Sequence, residues 1–289
     1  MGHHQHSTKN IRLAFFLNVG FTILEIIGGL FTNSVAILSD ALHDLGDSLS
    51  LGLSWYLDKK SKKGASPDFT FGYRRFSLLG ALINSVVLIA GSVFIISEGI
   101  DRLFNPEQSN AEGMIVFAII GVAVNGYAAF KLSSGKSMNE KVVSWHLLED
   151  VLGWVAVLIV AIVLLFTETP YLDPALSLLI TAYVLYNVVK RLRETLFLFL
   201  EGKPKEVDLE EIKRKIESLD NVQSLHHTHL WSLDGEHHVF TTHVKLKIIS
   251  EFSQLLDVKK AIKEILQQDH GFSHYTIETE LNEESCNLN

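Results

Sequence analysis

The sequence predicts a membrane all-α fold of six transmembrane helices followed by a small cytosolic α+β domain, and three observations predict it. Apolar residues make up 47% of the 289 positions. They gather into runs near the about 20 residues that a bilayer core of about 30 Å requires. Those runs crowd the first two thirds of the chain, whereas the part after Arg193 is rich in Lys, Glu, Asp and His and holds no long apolar stretch. The 20% of charged residues are thus segregated from the apolar ones, with a boundary near Glu201 to Pro204.

In chain order the expected spans cover residues 11–30, 35–57, 76–100, 114–130, 145–166 and 174–189. Only Phe31 to Ser34 separate the first two, which makes a tight antiparallel hairpin. Thr167 to Asp173 join the last two as tightly, and Asp173 followed by Pro174 reads as N-cap then N1. Basic residues are lopsided. One side of the membrane holds Lys9 and Arg12, then Lys59, Lys60, Lys62, Lys63, Arg74 and Arg75, then Lys131, Lys136 and Lys141, then Lys190, Arg191 and Arg193; the other holds only Arg102. Lys and Arg are retained on the cytoplasmic side, so both termini are expected in the cytosol of a multi-pass protein of the cell membrane.

After Lys205 a helical pattern (Val207, Leu209, Ile212, Ile216, Leu219) precedes alternating stretches at 226–233 and 239–248, a helix at 252–266 and a last strand at 275–281. The order αββαβ suits a helix-on-sheet domain. The expected divisions are a His-containing cytosolic tail (1–10), a membrane domain (11–200), a cytosolic metal-binding and dimerisation domain (201–283) and a C-terminal tail (284–289).

Several classes are excluded or disfavoured. A net charge of −8 without a clustered basic face gives no support to nucleic-acid binding. Cys286 is the only cysteine, so no intramolecular disulfide or Cys-based zinc knuckle forms. Residues 1–10 lack the apolar core of a cleaved signal peptide. A GxxxxGK[ST] phosphate loop is missing, which disfavours an ATP-driven pump, and so is HExxH.

Charged residues at the bilayer centre cost at least about 2.5–3.5 kcal/mol each and need a purpose. The second span nevertheless contains Asp40, His43, Asp44 and Asp47, and the fifth contains His146, Glu149 and Asp150. Each has a His followed four residues later by an Asp, and positions i and i+4 share one helix face. Two such faces together offer two imidazole nitrogens and two carboxylate oxygens, a set suited to tetrahedral Zn²⁺. Spacing alone leaves other sets open, because Asp40 with Asp44 is also an i,i+4 pair and Glu149 lies close to the His146 face. Four carboxylates would hold Mg²⁺, Ca²⁺ or Mn²⁺. The plain alternative is polar glue between helices, which a repeated HxxxD on two separate spans argues against. Asn18, Asn84 and Asn125 read as interhelical hydrogen-bonders, and Glu25 as lining the metal path, relaying protons or pairing near the membrane surface.

The stretch Ser34-Val-Ala-Ile-Leu-Ser-Asp-Ala-Leu-His43-Asp-Leu-Gly-Asp47, with Phe71-Gly-Tyr-Arg-Arg75 and Trp145-His-Leu-Leu-Glu-Asp150, resembles the cation diffusion facilitator family of metal/proton antiporters. Six spans and an αββαβ tail extend the resemblance over almost the whole chain. It implies a transport site of His43, Asp47, His146 and Asp150, with zinc as the first-ranked cargo and Cd²⁺ or Co²⁺ as ordinary companions. A ligating His must be neutral, so protons and metal compete for the same lone pairs. Inward proton flow would then drive metal export by alternating access. A fully ligated two-His, two-Asp site leaves no open position for a catalytic water, so an enzyme is not expected. The competing reading from another class is a membrane-embedded zinc sensor without net transport.

The tail holds His226, His227, His229, His237, His238, His243, His270 and His274. Strand alternation puts His227 and His229 on one face and His226 on the other. The resemblance implies a metallochaperone-like fold that dimerises and binds regulatory metal, with candidate ligands at His226, His243, Glu278 and Glu280; solvated surface histidines are the plain alternative. Asp68 falls where some relatives bind another ion, but Tyr73 and Arg74 replace possible His partners there. His3, His4 and His6 would gather metal near the entrance, or else belong to a solvated tail or a tag remnant.

Overall fold

The computed structural model describes residues 3–61, 63–133, 138–167, 169–268, 271–281 and 284. Side chains are described at 16, 18–50, 52–53, 56–57, 60, 63–130, 147–167, 169–267, 271–281 and 284. His146, the N-terminal histidines, His270 and Cys286 lie outside the described side chains.

The first six helices are α1 (His3–Thr32), α2 (Val35–Ser61), α3 (Phe76–Phe104), α4 (Ala111–Ser133), α5 (Met138–Phe166) and α6 (Leu172–Phe199). Among the described residues four stretches are long and apolar enough to cross a membrane: Phe76–Phe104, Ala111–Phe130, Leu147–Phe166 and Leu172–Phe199. The apolar stretch Asn18–Thr32 of α1 is shorter, and α2 carries Asp40, His43, Asp44 and Asp47. Large apolar side chains such as Phe94, Leu152, Leu179 and Tyr186 stand exposed on the helices, as lipid-facing positions require.

Contacts divide the chain into two compact units, residues 1–58 with 80–192 and residues 59–79 with 193–289. In the first, Ala36, Ile37, Met114, Ala118, Trp154, Val157 and Ala161 form one buried cluster between α2, α4 and α5. A Cβ at Gly121 would overlap the Trp154 indole, so the glycine lets α4 approach α5. Leu88, Val184 and Val188 form a smaller cluster, where Gly91 likewise makes room for Leu42.

One end of this bundle is closed by polar contacts around the α1–α2 turn. Asn33 has a positive φ of 53°, an αL position that Asn tolerates. The buried Arg102 donates to its carbonyl oxygen at 2.6 Å and to its Oδ1 at 2.8 Å. Asp173 is buried, and its carboxylate accepts from Ser34 Oγ, from Val35 N at 2.8 Å and from Ala36 N at 3.4 Å. Its role therefore differs from the expected one: α6 already begins at Leu172, and Asp173 caps α2 instead. An anion there satisfies amides that the start of α2 leaves without partners.

Two of the three asparagine expectations hold. Asn18 Nδ2 donates across to Asp44 O and Ser48 Oγ, and Asn84 Nδ2 donates to Ser50 Oγ at 2.7 Å. Asn125 instead donates to Gly121 O within its own helix, because an amide four residues on reaches the nearest carbonyl of the preceding turn.

The second unit contains α7 (Leu209–Glu217), β1 (Val222–Ser232), β2 (His238–Leu246), α8 (Phe252–Gln268) and β3 (Phe272–Glu280). Asp208 caps α7 by accepting from Glu210 N and Glu211 N. The sheet order is β1-β2-β3, with β1 antiparallel to β2 and β3 parallel to it. Parallel neighbours need a crossover, and α8 supplies it. Ile212, Ile216, Phe240, Val244, Leu246, Ile262 and Leu266 are among the residues of the core between helices and sheet. The 59–79 segment belongs to this unit through Arg75 with Glu201 at 2.8 Å and Arg74 with Asp234 at 3.7 Å.

Candidate metal centres

The membrane-domain candidate stands on α2 and α5. Residues 43 and 47 share an α2 face, and His43 Nε2 lies 4.0 Å from Asp47 Oδ2. From α5, Asp150 Oδ1 comes within 3.8 Å of the same nitrogen. The structure thus brings three of the four expected residues together, while the His146 side chain lies outside the described set. Bonds of about 2.0–2.1 Å to a tetrahedral zinc place ligand atoms roughly 3.4 Å apart, so contraction by about half an ångström would suffice. Asp150 is 10% exposed and His43 and Asp47 are each 29% exposed, so the group is half-buried and reachable.

The competing acidic residues go elsewhere. Glu149 lies at 3.5 Å from the Tyr183 hydroxyl. Asp40 and Asp44 are buried and stand beside the fully buried Glu25 of α1. Asp40 Oδ1 also lies 3.7 Å from where a Cβ of Gly153 would be. No Lys or Arg occurs in residues 13–58 or 142–189. His43 and His146 are the basic side chains of these two stretches.

In the tail, His226, His243 and Glu280 present ligand atoms all within 4.8 Å of one another. His243 Nδ1 lies 2.7 Å from Glu280 Oε1, and His226 Nε2 lies 3.1 Å from Glu280 Oε2. Sheet register explains the convergence, since His226 pairs with His243 and His243 with Glu278. The fourth expected residue, Glu278, is at 3.6 Å from His243 Nε2 and is exposed. Together these offer two imidazoles and carboxylates, again a zinc-type donor set.

Strand alternation misplaces one histidine. A bulge between His226 and His229, with His227 at φ 49°, interrupts the register. Both the His226 and His227 rings consequently stand against His243, at centroid distances of 5.4 and 5.2 Å. His227 and His229 do share a face, with their Nε2 atoms 3.4 Å apart. No Gly marks the bulge in the sequence, and although His adopts αL more often than most non-Gly residues, positive φ is still uncommon for it. At the site where the resemblance offered Asp68, Arg74 pairs with Asp234 and Tyr73 Oη lies 3.2 Å from Ser66 Oγ.

An apolar helical domain with paired His/Asp faces, joined to an α+β domain with a His/Glu cluster, defines a membrane protein built to handle divalent metal. Residues 11–200 match the cation efflux transmembrane domain, and residues 204–281 match the cytoplasmic domain of cation efflux proteins. A cadmium, cobalt and zinc/H(+)-K(+) antiporter of Bacillus subtilis is 33% identical over 97% of this chain and 92% of its own length. The metal cation efflux system protein CzcD of Cupriavidus metallidurans is 33% identical over 97% and 90%. The zinc transporter ZitB of Yersinia pseudotuberculosis is 31% identical over 95% and 88%. The chain belongs to the cation efflux family of membrane transporters.

Proposed function

We propose that the protein exports Zn²⁺ from the cytosol, with Cd²⁺ and Co²⁺ as further cargo, in exchange for inward-moving protons. The carrying observation is the meeting of the two His/Asp helix faces, with Asp47 and Asp150 both about 4 Å from His43 Nε2. His43, Asp47, His146 and Asp150 hold the travelling ion. Two carboxylates in an apolar bundle without Lys or Arg nearby favour a divalent cation, and two imidazoles favour zinc over harder ions. Relatives named for zinc, cadmium and cobalt transport support the same cargo.

The lopsided Lys and Arg support a cell-membrane protein with both termini and the tail on the cytosolic side. Metal loads there onto neutral histidines, and protons displace it on the far side. The His226, His243 and Glu280 cluster, with Glu278, is a second, regulatory zinc site in the tail. Exposed Ile248, Phe252 and Leu256 on this domain support a homodimer joined through the tails.

The test is zinc flux into proteoliposomes under an imposed pH gradient, comparing the native chain with Asp47→Ala and Asp150→Ala. Gradient-dependent flux abolished by either substitution is expected. Stoichiometric zinc binding without any native flux would instead favour a sensor.

A further inference from the structure

Several buried hydroxyls of the membrane unit are satisfied within their own helices. Thr22, Thr32 and Ser85 donate to the carbonyl oxygen four residues earlier, at 2.9, 2.7 and 2.8 Å. That back-bond is the ordinary way a helix satisfies a hydroxyl without water. Ser39, Ser92, Ser177 and Thr181 differ. Ser39 Oγ and Thr181 Oγ1 meet across α2 and α6 at 2.7 Å, and the Ser92 and Ser177 hydroxyls have no hydrogen-bond partner among the described residues. All four residues are at most 2% exposed. Buried polar atoms of this kind belong where water or an ion reaches them.

Their places form a row that begins at the His/Asp group. On α2, Ser39 stands four residues before His43 and eight before Asp47, so it extends their helix face towards the Asp173 end. On α6, Thr181 continues through Ser177 to Asp173 along the buried face, each step of four residues covering about 6 Å. Asp173 returns to α2 through Ser34 Oγ and Val35 N. Ser92 lies on the face of α3 that meets α6. Four residues before it, Leu88 clusters with Val184 and Val188, and seven after it a Cβ at Gly99 would come within 3.0 Å of Leu178. The row thus runs between α2, α3 and α6. Trp154 and its aliphatic neighbours pack on another side of α2, against α4 and α5, and Asp40 lies towards Gly153 of α5.

We propose that this row is the polar path by which the transported cation, with its water, passes between the His/Asp group and the Asp173 end. Hydroxyl oxygens are hard and neutral, so they replace part of an ion's hydration shell without holding it. Conduction needs such weak, successive contacts. Burial closes the row in this structure, whereas His43 and Asp47 keep 29% exposure, the asymmetry that alternating access requires. The inference rests on the transport reading above and adds the side of α2 along which the ion travels.

The experiment uses the full chain in proteoliposomes and reads zinc flux, zinc affinity and thiol labelling. Ser177→Ala combined with Thr181→Val removes two hydroxyls at nearly constant volume. Flux should fall about tenfold or more, as loss of a hydrogen bond to a charged species in the path predicts, while zinc affinity stays within about twofold. Labelling uses a Cys286→Ser background, which removes the only native thiol. Ser92→Cys and Ser177→Cys should react with a small charged methanethiosulfonate during zinc flux, and Ala118→Cys and Ala161→Cys, from the Trp154 cluster, should not. Native flux in the double variant overturns the proposal and leaves the serines as small packing residues. Parallel loss of flux and zinc affinity overturns it too, as does labelling at Ala118 or Ala161 equal to that at Ser177. Should the double variant fail to fold, the labelling pattern decides alone. Native protein without zinc flux sinks the transport reading itself, whereas native flux with unreactive serine positions sinks only the path.

Discussion

Replacing Asp173 with Ala tests how α2, the helix of His43 and Asp47, is held. The Asp173 carboxylate accepts from Ser34 Oγ, Val35 N and Ala36 N across more than 130 positions of sequence and is 0% exposed. Hydrogen bonds to a charged group contribute about 1.5–3 kcal/mol each. The Ala36 contact, at 3.4 Å, is long enough to count for little. Two good bonds therefore give a loss of roughly 3–5 kcal/mol, since truncation leaves buried donors without an acceptor. Asp173→Asn keeps the shape and one carbonyl oxygen, so its cost should be near that of a lost helix cap, about 0.5–2 kcal/mol. Reversible unfolding in mixed micelles, followed by tryptophan fluorescence, measures both. A second consequence concerns the metal, because His43 lies eight residues after Val35, roughly 12 Å along α2. Loosening the start of the helix should weaken zinc binding even though Asp173 touches no ligand. Asp173→Ala within 1 kcal/mol of native stability would refute the reasoning, because a structural cap of this kind cannot be silent.

The other expectations are shorter to state. His43→Asp should shift preference from zinc towards Mn²⁺, since one nitrogen donor is exchanged for oxygen; competition flux assays with both ions would show an unchanged ranking if His43 is not a ligand. Zinc affinity at the membrane site should fall as the medium is acidified through the histidine range, because protonation removes the free ligand form, by up to about tenfold per pH unit for each histidine displaced; calorimetric titration at several pH values reads the slope, and a flat profile would count against histidine ligation. His243→Ala should remove one zinc equivalent per chain while sparing the membrane equivalent, which equilibrium dialysis of the full chain can count. Gly121→Ala should cost about 1–3 kcal/mol through overpacking against Trp154, measured by the same unfolding assay, and native stability in that variant would mean the two helices slide apart freely.

Much of the candidate site was legible because helical periodicity is strict. Two HxxxD words on separate spans point their ligands along one face each, and the structure brings His43 within 4 Å of both aspartates. The order αββαβ was legible for the same reason, through alternation and period in Val239–Leu246 and in α7 and α8. What failed depends on distant partners or on local irregularity. Asp173 looked like the cap of its own helix because sequence shows Pro174 beside it and cannot show the amides of Val35 and Ala36. The bulge at His227 escaped because alternation assumes an unbroken ladder, and one extra residue in β1 carries a second imidazole to His243. Glu25 was visible as a polar residue in an apolar run, but its complete burial beside two other carboxylates emerges only when α1 packs on α2.

The two ends of the membrane unit differ in a way that bears on how an ion could pass. Beyond Asp150, one helical turn further along α5, Trp154 is 1% exposed and fills the notch that Gly121 leaves in α4. Phe21 of α1 meets the same indole edge-on at 6.2 Å, and the Asp173 and Arg102 contacts bind the turn between α1 and α2 beyond it. In that direction from the His/Asp group lie the buried Asp40, the Ser39–Thr181 hydroxyl pair at 2.7 Å and then the packed Trp154 and its aliphatic neighbours. Level with the group, where Leu88 meets Gly46 of α2, the buried cluster of Leu88, Val184 and Val188 is smaller, and His43 and Asp47 retain part of their exposure. The Asp173 contacts meanwhile keep the start of α2 joined to α6, and Arg102 ties the same turn to α3.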